Sequence, residues 1–438
     1  MNKLRNEAPI SNTIYTYAGM RLPIVLLIIY YWWLICTPQV RFPQLGDLYF
    51  EKLLAFAWMC SIFAQKEKAP VASPITNLLI SLYFLVLILS WITPVPKSSL
   101  LSLWQTEYWK KIMFFFMGVM TIRDRKDFFH ALTGIAIVMY GYQLLSWRDF
   151  LAGGSYVYQQ GLKRMTGMWV VNSYGAGNYW GYLSAFCTPL ALYGFLRSSQ
   201  KLVKLAYLAL LGILLLSILF SGSRGSLVSV GLFYIYHFRT KLINPKYIMI
   251  GVLSIMIAVP FVPPEYKKRY SMIFVKKDDV HTGTKAEQIA KDSAANRLQG
   301  LLDGWWLLFK YPQGCGPGQS ALARNEINYE LRESGQVLQL HNLYGQIMSE
   351  TGFLGTILIL ILGFQTYKNL KIAKPEDDLK PEKDAIKGIA LICLIYGMGA
   401  HSLYTEQWIW ILMFAVATHN LSPNNPANIK KINPADQQ

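Results

Sequence analysis

Charge is scarce in this 438-residue chain: Asp, Glu, Lys and Arg together make up 15% of it. An ordinary soluble domain carries about a quarter of its residues charged, so this chain cannot cover a water-facing surface in the usual way. The acidic sign is the scarcer one, 25 residues against 42 basic, for a formal net charge of +17. Cysteine is sparse too: Cys36, Cys60, Cys187 and Cys393 fall in or at apolar segments and only Cys315 lies in a polar connection. That spacing excludes a disulfide framework and a cysteine metal site. No internal repeat and no low-complexity tract occur. The first apolar segment lacks a small-residue cleavage site and is rich in aromatics (YYWW), which reads as a retained anchor rather than a removed signal.

What the chain has is apolar length. Hydrophobic residues reach 53% and aromatics 14%. Runs of roughly 17 to 25 apolar residues, enough to cross about 30 Å of hydrocarbon, recur near 20–36, 48–64, 75–95, 99–121, 129–147, 179–197, 203–221, 225–238, 246–263, 341–367, 386–403 and 405–420. The expected fold is an all-α integral membrane protein with about 12 transmembrane helices. With a cytoplasmic N-terminus every short inner loop is basic: Lys66 and Lys68; Arg123, Arg125 and Lys126; Arg197, Lys201 and Lys204; Arg239, Lys241 and Lys246; the lysine-rich stretch 367–387; and Lys430 and Lys431. An error of one span would invert the later loops, so the pattern places both termini inside. The positive charge therefore follows from topology, and membrane lipid, not nucleic acid, is the expected partner.

The chain divides accordingly into spans one to nine (1–263), an outer loop (264–340), spans ten to twelve (341–420) and a disordered inner tail (421–438). Two outer segments are long, 148–178 and 264–340, well beyond ordinary connections. Order is expected in the second. Leu298, Leu301, Leu302, Trp305, Trp306 and Phe309 recur at helical spacing until Pro312 ends the run. Such a helix suits the membrane interface, with Asn296, Arg297 and Asp303 on its polar edge. The glycine-dense QGCGPGQS that follows predicts a sharp turn or a close backbone approach.

Polar residues at the outer ends of spans are the candidates for chemistry. In SGSRGS (221–226) small residues leave the Arg224 guanidinium unshielded, as an anion site requires; a helix-end arginine reaching for water is the plainer alternative. Lys267, Lys268, Arg269, Lys276 and Lys277 form a basic cluster on the outer side, against the positive-inside trend, that could equally be an ordinary solvated face. His341 opens the tenth span, where an imidazole near water could take a proton or simply bond a neighbouring helix. Asn342 can cap backbone groups or hold a substrate hydroxyl, and Ser223 and Tyr344 are further candidate substrate contacts. Glu350, about 13 Å further in, should be protonated or paired. His401, Tyr404 and Glu406 occupy the last outer turn.

The SRG turn, the W…LF…P…G.GPG passage and HNLY…SETGFLG at the head of a span together resemble the O-antigen ligase and polymerase superfamily. The motifs run from about 170 to 365. The resemblance implies a GT-C-like, metal-independent glycosyltransferase without cofactor, in the bacterial inner membrane, with its active site facing the periplasm. It would move a glycan from undecaprenyl diphosphate to an acceptor hydroxyl. The acceptor is lipid A-core in ligases, another lipid-linked repeat in polymerases and a protein serine in a third branch. Carried over, His341 becomes the catalytic base or hydroxyl-positioning group, and Arg224 and Arg297 become diphosphate ligands. The length and single late outer loop fit a ligase best. A twelve-helix secondary transporter is the alternative from another class, disfavoured by the missing repeat between halves.

Overall fold

The computed structural model describes residues 19–40, 42–92, 108–159, 161–168, 176–239, 262–271, 285–334, 337–371, 379–400 and 402–422. Helices dominate: α1 (Leu22–Cys36), α2 (Pro43–Asp47), α3 (Phe50–Phe63), α4 (Pro74–Ile92), α5 (Trp109–Thr121), α6 (Arg125–Leu151), α7 (Ala176–Arg197), α8 (Lys201–Phe220) and α9 (Arg224–Phe238). After them come α10 (Pro264–Ser271), α11 (Lys285–Lys310), α12 (Ser320–Asn325), α13 (Tyr329–Ser334), α14 (Leu343–Leu370), α15 (Lys380–Gly397) and α16 (Glu406–Leu421). Eleven of the twelve expected apolar segments contain a described helix; the segment 246–263 lies almost wholly (246–261) outside the described residues.

Among the described residues, α4, α6, α8 and α14 are long and apolar enough to cross a membrane, and α1 is a shorter apolar helix. Their outer faces are what a bilayer requires. Helix α8 exposes Leu202, Leu205, Leu208, Leu215 and Leu216, and α14 exposes Leu354, Ile357, Leu360, Ile361 and Phe364. Bands of this size would drive aggregation in water. In hydrocarbon they are already solvated. Inside, polar side chains join helices that share no hydrophobic drive to associate in lipid. Gln143 of α6 donates to Ser184 Oγ of α7 (2.9 Å) and accepts from Ser217 of α8 (2.6 Å). Trp147 of α6 donates to the same serine (2.8 Å). This network fixes α8 against α6 and α7, and so fixes the turn at the end of α8.

The all-helical expectation needs one correction. Within the first long outer segment, β1 (Tyr156–Gln159) and β2 (Leu162–Met165) form an antiparallel hairpin with Tyr156 opposite Met165 and Gln159 opposite Leu162. A two-residue connection closes it, with Gly161 at φ +74°, the conformation such tight turns need. In the second long outer segment the expected interfacial helix is present as α11 and ends just before Pro312. Its apolar residues do not form one buried stripe, however. Leu307 and Leu308 are buried, whereas Leu298, Leu302, Trp305, Trp306 and Phe309 stay exposed. The contact with the start of α14 runs instead through Gly300 and Gly304, where backbone meets backbone at Leu340 and Gly345.

Helix α14 is interrupted. Gly352 adopts φ +63°, ψ −164°, a region open essentially to glycine alone. The glycine-rich turn after α11 fills the break. Phe353 N donates to Pro312 O (2.9 Å), Cys315 N to Ser349 O (2.8 Å) and Gly316 N to Glu350 O (3.3 Å). The backbone groups that the break frees are thereby satisfied by protein, the condition for irregular backbone at membrane depth.

Candidate functional site

The turn between α8 and α9 is built from small residues so that its backbone can be gripped. Ser223 caps α9, accepting from Ser226 N (3.4 Å) and sharing a hydrogen bond with the Ser226 hydroxyl (2.9 Å). Ser223 N in turn donates to Ser221 Oγ (3.1 Å). The turn lies on α7 at Gly181, where a Cβ would stand 2.7 Å from Ser223 Cβ.

Two further arginines close on this turn, one from the β-hairpin and one, from the basic cluster, on α10. Arg164 of β2 donates from Nε to Ser221 O, from Nη1 to Gln159 Oε1 and from Nη2 to Asn178 Oδ1, each at 2.6 Å. Arg269 of α10 donates from Nε to Gly222 O (2.5 Å). Tyrosines brace both: Tyr266 donates to Lys163 O, and Tyr270 donates to Leu219 O (2.8 Å). The basic cluster expected around Lys267 thus separates. Arg269 is buried against the turn, Lys267 and Lys268 are exposed, and Lys276 and Lys277 lie outside the described residues.

Arg224, at the head of α9, shares this neighbourhood, and Arg297 of α11 lies within electrostatic reach of Arg164, Arg224 and Arg269. Burial pushes Arg164 down to about 10. Burial, then the nearby Arg164 and Arg224, pushes Arg269 down to about 9. Arg297 is lowered by burial, partly offset by Tyr396. All three remain protonated at neutral pH. Two guanidiniums, those of Arg164 and Arg269, therefore grip the turn that Arg224 belongs to, and that of Arg297 lies within electrostatic reach; a polyanion would relieve their repulsion.

Arg297 also links this cluster to His341. Asn342 Nδ2 donates to Arg297 O (3.3 Å) and to Met398 O (3.0 Å), while its Oδ1 accepts from Tyr344 N and Gly345 N (both 3.0 Å). The amide is fully occupied: it caps α14 and ties that helix to α11 and α15. His341, one residue earlier, is exposed and sits at φ +50°, a left-handed conformation that histidine visits more readily than most residues but still at a cost. Tyr344 donates to Leu394 O (3.0 Å), away from the arginines along α15. The structure therefore gathers Arg224, Arg297 and the His341 turn, together with Arg164 and Arg269. It commits Ser223 and Asn342 to capping. His401 is outside the described residues.

Glu350 has a partner set that the sequence did not suggest. Buried in α14, its carboxylate accepts from Gly318 N (2.8 Å), Ser320 Oγ (2.6 Å), Gln346 Nε2 (3.3 Å) and the Tyr404 hydroxyl. Hydrogen-bond donors, not a cation, satisfy it. The bonds tie the glycine turn and the last outer turn to the first half of α14. The clue lay in the pairing of GCGPG with ETG, but nothing local says that the two motifs interlock.

A comparison with curated proteins returns no match. Residues 208–360 match a family model described as O-Antigen ligase. The matched stretch carries Arg224, Arg269, Arg297, His341 and Glu350, whereas Arg164 precedes it. The arginine-lined turn, the broken helix and the histidine at its mouth all fall in or against that stretch, about a third of the chain, which is similar to O-antigen ligases.

Proposed function

We propose that the protein is an O-antigen ligase: a multi-pass enzyme of the bacterial inner membrane, GT-C-like, with about 12 spans and its active site open to the periplasm. It transfers O-antigen from undecaprenyl diphosphate to a sugar hydroxyl of lipid A-core. The observation that carries this reading is the grip of Arg164 and Arg269 on the 221–226 turn beside Arg224, with Arg297 in electrostatic reach and bonded through its carbonyl to the residue after His341. An undecaprenyl donor has its tail in lipid and its glycan in water, so its diphosphate must sit at that boundary, and the span ends and loops that carry these residues support putting them there.

In this mechanism the acceptor oxygen attacks the anomeric carbon as the bond from that carbon to the diphosphate oxygen breaks. His341 takes the acceptor proton, and undecaprenyl diphosphate departs with the bonding electron pair. Arg164, Arg224, Arg269 and Arg297 hold the charge that develops on it, the kind of preorganised stabilisation that dominates many enzymatic rates. General base catalysis adds about 10²–10⁴-fold. A single displacement inverts the anomeric centre, and NMR of the product showing retention would remove that step.

The deciding experiment supplies purified protein with lipid-linked O-antigen, with and without lipid A-core, and asks which acceptor gains sugar. Glycan on lipid A-core is expected. Longer lipid-linked chains without added core would make the protein a polymerase. No transfer to either, together with solute uptake sensitive to His341→Ala, would point to transport.

A further inference from the structure

His341 is the one candidate catalytic group whose backbone is strained, and a strained residue keeps its geometry only if its flanks are held. The downstream flank is held by Asn342. The upstream flank is held by a buried ion pair that the chemistry above does not use. Arg324 of α12 donates from Nε to Asp303 Oδ2 of α11 at 2.6 Å, with side chains only 4% and 6% exposed. Its Nη1 donates to Gln339 O at 3.3 Å, two residues before His341. Gln299 Nε2 bonds the other Asp303 oxygen (2.8 Å), fixing the carboxylate on α11. Between these anchors Leu340 is fully buried, its carbonyl pressed against α11 at Gly300, where a Cβ would collide with it.

We propose that Asp303 and Arg324 are positioning residues for His341, an inference that rests on the glycosyl-transfer reading. A buried ion pair gives up much of its attraction to desolvation, so stability is a poor reason for it; specifying one geometry is a better one. Here the geometry specified is the path of the chain into the left-handed residue. Arginine suits the task because one planar fork can serve the carboxylate and the Gln339 carbonyl together. Lysine can keep the charge pair but has a single nitrogen, so it cannot reproduce both bonds in the same geometry. Without the grip on Gln339, the turn can relax and carry the imidazole off line with the acceptor hydroxyl. Displacements of about 1 Å can cost ~10²-fold in rate.

The test compares Arg324→Lys, Asp303→Asn, Gly300→Ala and His341→Ala in the ligation assay, with undecaprenyl-diphosphate-linked O-antigen as donor and lipid A-core as acceptor. The Gly300 variant pushes the Leu340 carbonyl from the opposite side without touching the ion pair. For both Arg324→Lys and Gly300→Ala the expected result is a kcat per folded enzyme lower by ~10- to 100-fold with the KM for donor unchanged, because the arginine cluster is untouched; the thermal midpoint should hold in Arg324→Lys and fall in Gly300→Ala, whose Cβ would meet the Leu340 backbone. Wild-type kcat in a folded Arg324→Lys enzyme overturns the proposal. So does a loss that appears in donor KM or that follows the folded fraction. If Arg324→Lys fails to fold, Gly300→Ala decides by the same criteria. If His341→Ala keeps its kcat, the transfer mechanism fails at its base; if His341→Ala is inactive while the positioning variants are normal, only the present inference fails.

Discussion

Replacing Gly352 by alanine tests the interlocked helix break on which the site is mounted. A Cβ there would stand 2.5 Å from Gly314 N, with Pro312 O and Gln313 C nearer still. All three are backbone atoms, with no side chain to swing aside. The dihedral strain alone is ~1–3 kcal/mol. If the glycine turn recoils, one or two of the three crossing hydrogen bonds are lost at ~0.5–1.5 kcal/mol each. The sum is a destabilisation of ~1.5–6 kcal/mol. Gly363, in the same helix, has nothing within 4 Å of its would-be Cβ, so alanine there should stabilise by up to ~1 kcal/mol through helix propensity. One substitution on one helix should thus give opposite signs at two positions. Thermal midpoints in lipid nanodiscs read the sign. Maleimide labelling of Cys315, which is fully buried among Leu307, Tyr311 and Ala323, reads recoil of the turn, with exposed Cys60 changed to serine to remove background. Midpoints that move together, or a Cys315 that stays shielded in Gly352→Ala, would refute the interlock.

Three further outcomes are expected. Arg224→Lys should raise the donor KM ~10-fold or more, the cost of a lost charge-assisted hydrogen bond, at unchanged folded yield; near-normal donor use would count against diphosphate binding. Donor KM should stay flat up to about pH 8.5. It should then rise as the pH passes the values near 9 and 10 of Arg269 and Arg164, because the proposed diphosphate contact needs their protonated forms. A KM that improves with rising pH has the wrong sign. Glu350→Gln turns one of two accepting oxygens into a donor facing other donors, Gly318 N–H and the Tyr404 hydroxyl or Ser320 and Gln346. It should lower stability by ~1–3 kcal/mol, and an unchanged melting midpoint would show that the carboxylate is not the hub of that network.

Residue pattern alone went far toward the fold and part of the way into the site. Apolar length and loop charge are properties of consecutive residues, so helices fall on nearly all of the expected segments. Arg224, Arg297 and His341 could be singled out as candidates because each sits beside a turn or span end with an unusual composition. Arg164 was not, since it lies in a short hairpin whose alternation is masked by polar residues, and Arg269 looked like one more surface cation among lysines. Asn342 and Ser223 show the opposite limit. Both are where a substrate contact was expected, but their hydrogen-bonding capacity is spent on helix caps.

The sequence by itself determined the solvent in which the chain folds, where its helices run, and which polar residues stand at their ends, because hydropathy and capping act between neighbours a few residues apart. Only the tertiary structure decided that Arg164 and Arg269 grip the turn at Arg224 with Arg297 in electrostatic reach, that the glycine turn plugs the break at Gly352, and that an ion pair grips the chain ahead of His341. Those arrangements join residues tens to more than a hundred positions apart. Their energy comes from contacts that exist only once the helices have packed.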